Sequence, residues 1–280
     1  MKRNLLRALL ILNFSFFIFH SALAQISAEL LTVPEKTQYT KTSLYADVMD
    51  LISALDKSSD LVYVTKMGTS LEGKDIPVVV MANPKITTPE EAIASGKPVM
   101  YVQGNIHSGE VEGKEALQIL MREIAFGDKK HLLENQILLF APIYNTDSND
   151  KLGVEIRRSQ EGSPELIGVR SNSQGWDLNR DGIKMEAIET NALIQNVIMK
   201  WDPEMLVDLH TTNGTWHGYS LTWAPSYHYA GEKAPYDFTW NKLLPEVTDK
   251  VLENYDIYLG PYGYHNLRAG WPVTEIYTYN

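Results

Sequence analysis

His107 and Glu110 stand three residues apart in Gly104-Asn105-Ile106-His107-Ser108-Gly109-Glu110. An imidazole nitrogen and a carboxylate oxygen at that spacing on a turn can hold one cation together. A catalytic zinc takes three protein ligands and keeps a position for water, so a third donor has to come from elsewhere. His210 is the best candidate, because it ends the apolar run Val207-Asp208-Leu209-His210. Composition alone gives about one histidine in fifteen a Glu three residues on. A lone His210 is equally compatible with a hydrogen-bonded core histidine. His20, His131, His217, His228 and His265 stand in weaker contexts.

A second segment, Ser171-Asn172-Ser173-Gln174-Gly175-Trp176-Asp177-Leu178-Asn179-Arg180-Asp181, sets an amide beside a guanidinium. Asn179 and Arg180 together can grip a carboxylate through planar, charge-assisted hydrogen bonds. Asp177 can accept from the far nitrogen of a ligand imidazole. A polar surface pair and a turn cap are the plainer alternatives for these three residues.

Elements must bring these segments together. Ser43 to Lys57 carries Leu44, Val48, Leu51, Ile52 and Leu55 at helical spacing. Asp60–Lys66 and Asp75–Ala82 read as strands joined by a turn at Gly68 to Gly73, and Pro98–Val102 as a third. Glu112–Phe126 follows as a helix with Ala116, Leu117, Leu120 and Ile124 inward. Gln136–Pro142 is a buried strand, Glu186–Trp201 a helix, Glu204–Leu209 a strand and Asp237–Asn254 a further helix. Alternating strands and helices predict an α/β fold with a mainly parallel or mixed sheet covered on both faces. Ligands gather at the carboxyl ends of strands in such folds. His107, Asn145 and His210 all follow predicted strand ends.

The formal net charge of −10 argues against nucleic acid as a partner. Cysteine is absent, which excludes thiolate zinc sites and a cysteine nucleophile. Lys2, Arg3 and Arg7, the apolar run Ala8–Phe19 and Ala22-Leu23-Ala24 read as a signal peptide over residues 1–24. Residues 25–280 are then one domain, secreted or periplasmic, with no membrane segment after cleavage.

Four matches, in order, now carry a family resemblance. They are Gly68-Thr69-Ser70-Leu71-Glu72-Gly73-Lys74; Asn105 to Glu110; Arg170-Ser171-Asn172 through Gly175-Trp176-Asp177-Leu178-Asn179-Arg180; and Asp208-Leu209-His210. From about Thr42 onward the chain resembles the zinc carboxypeptidases related to pancreatic carboxypeptidase A. The resemblance implies one zinc ion held by His107, Glu110 and His210, with Asp177 orienting His107. Asn179 and Arg180 would hold the free C-terminal carboxylate of a peptide substrate. Arg170 would stabilise the oxyanion, with Arg157 and Arg158 as rivals. The implied fold is a mixed, mostly parallel sheet of about eight strands flanked by helices.

Two departures accompany the match. Pro142-Ile143-Tyr144-Asn145-Thr146-Asp147 lacks the family's Asn-Pro step. The family's general base is a Glu on a late strand followed by a helix, whereas here only Glu275 stands late in the chain. The expectation is that the last strand, helix and base lie beyond Asn280, with Glu275 as the in-chain alternative. Tyr262 and Tyr264 could reach substrate, and Trp216, Tyr219 and Trp223 could line a cleft. The expected function is removal of a C-terminal residue from peptides. The alternatives are a zinc amidase or deacylase acting on wall peptides or acyl-amino acids, and a non-catalytic module binding peptide C-termini.

Overall fold

A computed structural model describes residues 28–153, 164–211, 219–226, 231–262, 264–265 and 274–275. Residues 1–24, where a signal peptide is expected, and Arg157, Arg158, Trp216, His217 and His228 lie outside the described residues. Helix α1 (Tyr45–Ser58) precedes a hairpin of strands β1 (Val62–Thr69) and β2 (Asp75–Met81). Helix α2 (Pro89–Ser95) leads to β3 (Val99–Gly104), α3 (Val111–Phe126) and β4 (Ile137–Ala141). Helix α4 runs through Ile188–Leu193, a π-helical turn at Ile194–Ile198 and Met199–Trp201 into β5 (Met205–Leu209). Strand β6 (Leu221–Trp223) pairs in parallel with β7 (Leu259–Pro261) across α5, which spans Lys233–Phe238, a π-helical turn at Thr239–Leu243 and Leu244–Tyr255.

The central sheet has the order β1-β2-β4-β3-β5. The sheet is mixed, as expected, but it holds five strands among the described residues rather than about eight. Its pairings divide evenly. β1–β2 and β2–β4 are antiparallel, whereas β3 is parallel to both β4 and β5. The short hairpin between β1 and β2 causes the antiparallel edge. Its turn needs Gly73 at φ 84°, a left-handed conformation that costs a glycine little. Glu275 lies in a two-residue strand, β9 (Thr274–Glu275), paired with β8 (Tyr264–His265) and separate from the central sheet.

Strand alternation sorts the core into two layers. Ile76, Val78, Val80, Tyr101 and Leu139 meet Ala192, Leu193, Val197 and Trp201 of α4. Val79, Met81, Leu138 and Phe140 face the other way, onto Leu51, Ile52 and Leu55 of α1 and Leu117, Met121 and Ile124 of α3. Burying such a side chain stabilises the fold by about 1.5–3 kcal/mol.

Two helices differ from the sequence reading. Leu44 is not on the buried stripe; it precedes α1, and its N–H donates to Asp47. In α3 the inward face is rotated: Ala116 faces solvent, while Lys114, Glu115 and Gln118 are buried. The cause is polar. Glu115 accepts hydrogen bonds from Thr42, Ser43 and Gln118, and Lys114 Nζ donates to Ser43 O and Asn149 Oδ1 at 2.6 Å each.

Candidate metal centre

Both parallel neighbours of β3 point their carboxyl ends the same way. That geometry delivers His107, on the turn after β3, and His210, just after β5, to one edge of the sheet. Glu110 stands at the start of α3. The helix reaches the sheet closely because Gly104 and Gly113 lack side chains. A Cβ on Gly104 would lie 3.0 Å from the backbone of Gly113 and Lys114, and one on Gly113 would lie 2.6 Å from Leu209 Cβ.

Ligand atoms of His107, Glu110 and His210 all lie within 4.8 Å of one another. His107 Nδ1 meets Glu110 Oε1 at 2.8 Å, and His210 Nδ1 meets Glu110 Oε2 at 2.8 Å. The backbone N–H of Thr211 also donates to Oε2. The far nitrogens are each backed by a carboxylate. His107 Nε2 lies 2.9 Å from Asp177 Oδ1, and His210 Nε2 lies 2.7 Å from Asp208 Oδ2. Nε2 is thereby committed on both rings, and the two Nδ1 atoms are the ones directed at the shared carboxylate. Two imidazole nitrogens and one carboxylate oxygen, converging with both far nitrogens held, fit a zinc ion.

The electrostatics agree with a cation site. Burial works against charge on Glu110, but the two imidazoles outweigh it and hold its carboxyl well below the usual range. Burial likewise opposes charge on His210, yet Asp208 and Glu110 raise it to about 10. Asp177 is lowered: its burial is offset by His107 and Arg170.

Asp177 also organises the neighbouring segment. Its carboxylate accepts from the N–H of Asn179 at 3.0 Å and so caps the turn Leu178–Arg180. Arg170 Nε and Nη2 each lie 2.9 Å from Asp177 Oδ2, and Nη1 lies 4.0 Å from Glu110 Oε1. Arg170 thus stands beside the triad. Asn179 and Arg180 sit on the capped turn, where Arg180 Nη1 donates to Asn179 O. Asn172 holds the loop in shape: its side chain accepts from the N–H groups of Gln174 and Trp176 and donates to buried Glu189.

The Gly68–Lys74 motif does not reach the triad. Ser70 Oγ donates to Asp147 Oδ1 at 2.6 Å, and the N–H of Glu72 donates to Asp147 Oδ2, so the motif braces the loop after β4. That loop keeps its acidic anchor without the Asn-Pro step. Asp208 had no role in the sequence reading, although its i, i+2 spacing from His210 on a strand was a usable signal. Trp223 packs edge-on against Trp240, which places it in the β6–α5 contact.

Comparison with known proteins identifies the family. The model of the zinc carboxypeptidase family matches residues 48–275, and the chain belongs to that family. Human carboxypeptidase D is 31% identical over 121 residues, which is 41% of this chain and 8% of that protein. A metallo-carboxypeptidase from Burkholderia cenocepacia superposes with a TM-score of 0.53 at 18% identity, covering 77% of this chain and 52% of that one. Bovine thrombin-activatable fibrinolysis inhibitor, solved with tick carboxypeptidase inhibitor, gives 0.57 at 16% identity over 81% and 78%. At such identities these structures support the fold. The chain spans about half the length of bacterial carboxypeptidase structures similar to it.

Proposed function

We propose that this chain is a zinc metallocarboxypeptidase hydrolysing the C-terminal peptide bond of peptides. The observation that carries the reading is the double role of Asp177. One carboxylate backs the ligand His107 and caps the turn bearing Asn179 and Arg180. A metal ligand and a pair suited to gripping a substrate carboxylate are therefore held by the same side chain, as an exopeptidase requires.

His107, Glu110 and His210 would hold the ion. When bound, zinc supplies Lewis-acid polarisation of a carbonyl and lowers the pKa of water toward about 7. Asn179 and Arg180 bind and orient the terminal carboxylate of the substrate. Arg170, kept beside the triad by its ion pair with Asp177, stabilises the developing oxyanion; such a donor is commonly worth about 3 kcal/mol of barrier. The basic and apolar start of the chain supports export to a secreted or periplasmic location.

The test is Arg180→Ala in the full-length protein. KM for peptides with a free C-terminal carboxylate should rise at least about tenfold, the loss of one charge-assisted contact. Unchanged KM, together with equal cleavage of C-terminally blocked peptides, muropeptides or acyl-amino acids, would replace this reading by an amidase or deacylase.

A further inference from the structure

Behind His210 runs a chain of hydrogen bonds, from the buried Tyr101 and Gln103 to the half-buried Asp208, that the proposed mechanism does not use. Gln103 on β3 and Asp208 on β5 are direct partners in the parallel register. Gln103 Nε2 donates to Asp208 Oδ1 at 3.1 Å, while Asp208 Oδ2 faces His210 Nε2. The amide cannot turn over freely, because Tyr101 Oη donates to Gln103 Oε1 at 2.9 Å. Tyr101 is fully buried and Gln103 nearly so. Burial pushes the Tyr101 phenol well above its ordinary value, so the hydroxyl keeps its proton.

The order of donors is therefore determined from the core outward. Tyr101 gives a hydrogen bond to the amide oxygen, which commits the amide nitrogen to Asp208. Asp208 keeps its second oxygen for Nε2 of His210. The imidazole is then held with Nδ1 toward Glu110. His107 is backed differently: its Asp177 is paired with the cation Arg170. Asp208 is oriented by a neutral amide, so more of its negative charge is available to His210.

We propose that Tyr101, Gln103 and Asp208 form a positioning relay that sets the tautomer and ring orientation of His210 as a metal ligand. The inference rests on the reading that His107, Glu110 and His210 hold zinc. A supporting carboxylate of this kind typically changes metal affinity 10–100-fold. The residues are coupled in series, so their effects must be non-additive.

The experiment measures zinc affinity by competition with a chelating indicator, and the visible spectrum of the cobalt-substituted protein. The variants are Asp208→Asn, Gln103→Leu, their combination and the mild Tyr101→Phe. Asp208→Asn should weaken zinc by about 10–100-fold. Gln103→Leu and Tyr101→Phe should weaken it less and shift the cobalt bands, and Gln103→Leu should add little in the Asp208→Asn background. Tyr101→Phe removes one hydroxyl and tests the relay even if Gln103→Leu fails to fold. Parental affinity and spectra in Asp208→Asn and Tyr101→Phe would overturn the relay. His107→Ala is the control. If it loses zinc while the relay variants keep it, the relay alone is wrong; if it too binds as the parent does, the metal centre itself is wrong.

Discussion

Gly113→Ala sets two known effects against each other. In an ordinary helix interior the change stabilises by about 1 kcal/mol, because alanine loses less backbone entropy. Here the new Cβ would lie 2.6 Å from Leu209 Cβ and 3.3 Å from Leu209 O. Carbon atoms rest about 3.5–4.0 Å apart, so helix α3 and strand β5 must separate by about 1 Å. Leu209 Cβ is fixed to the backbone and has no rotamer that avoids the contact. Overpacking of this sort costs about 1–3 kcal/mol, which cancels or exceeds the helix gain. The larger consequence falls on the site. Leu209 adjoins His210, and α3 carries Glu110, so the displacement acts on the 2.8 Å contact between them. Metal–ligand distances tolerate about 0.2 Å. Zinc affinity should therefore drop at least about tenfold, or about 1.4 kcal/mol, while global stability falls by no more than about 2 kcal/mol. Urea unfolding without metal and zinc titration against a chelator measure the two quantities. A variant that is more stable and binds zinc as before refutes the claim that close packing at Gly113 sets the distance between α3 and β5.

Two further expectations concern stability. Lys114→Met should destabilise by about 3–5 kcal/mol in urea unfolding. It removes a fully buried ammonium and its hydrogen bonds, orphans Asn149 Oδ1 and leaves Glu115 without its nearby cation. Glu35 is paired through both carboxylate oxygens with Arg122. Burial raises its pKa, but Arg122 and Thr32 bring the net value below the ordinary 4.5. Its contribution is therefore present above pH 4.5 and is lost as pH falls through the lower folded value. Glu35→Gln should cost about 1.5–3 kcal/mol at neutral pH and flatten the acid decline of the urea midpoint. An unchanged slope below pH 4.5 would show that the pair is not linked to folding.

What the residues disclosed in advance has a physical pattern. His107 with Glu110 and His210 at a strand end were legible because each rests on local spacing, whereas the capped turn at Leu178–Arg180 was only the plainer alternative for Asp177. Cover on both faces of the sheet was legible from the alternation of strands with helices, and the inward face of α1 from its apolar stripe; the two sides of β2 were not, because Ile76–Met81 is a continuous apolar run. Nor was the relay from Tyr101 to Asp208. It depends on a register between strands 105 residues apart, and one step of slip would turn Gln103 away from Asp208. The rotated face of α3 escaped because a buried lysine and glutamate imitate a solvent face when their partners, Ser43 and Asn149, are far along the chain. Helix α2 was not read from the sequence, although Thr88 and Glu91, forming a capping box around Pro89, marked its start.

The parallel pairing of β3 with β5 also bears on how the chain is held shut. Glu110 and His210 are 100 residues apart in sequence. An ion joining them would act as a clasp on a large loop, and a clasp that restricts only the unfolded chain stabilises without adding any packing. Such long-range parallel pairing forms slowly, because the loop must close before any contact rewards it. Metal availability would then govern persistence as well as chemistry: the chain kept with its ion would reopen at the sheet edge far less often than the chain deprived of it.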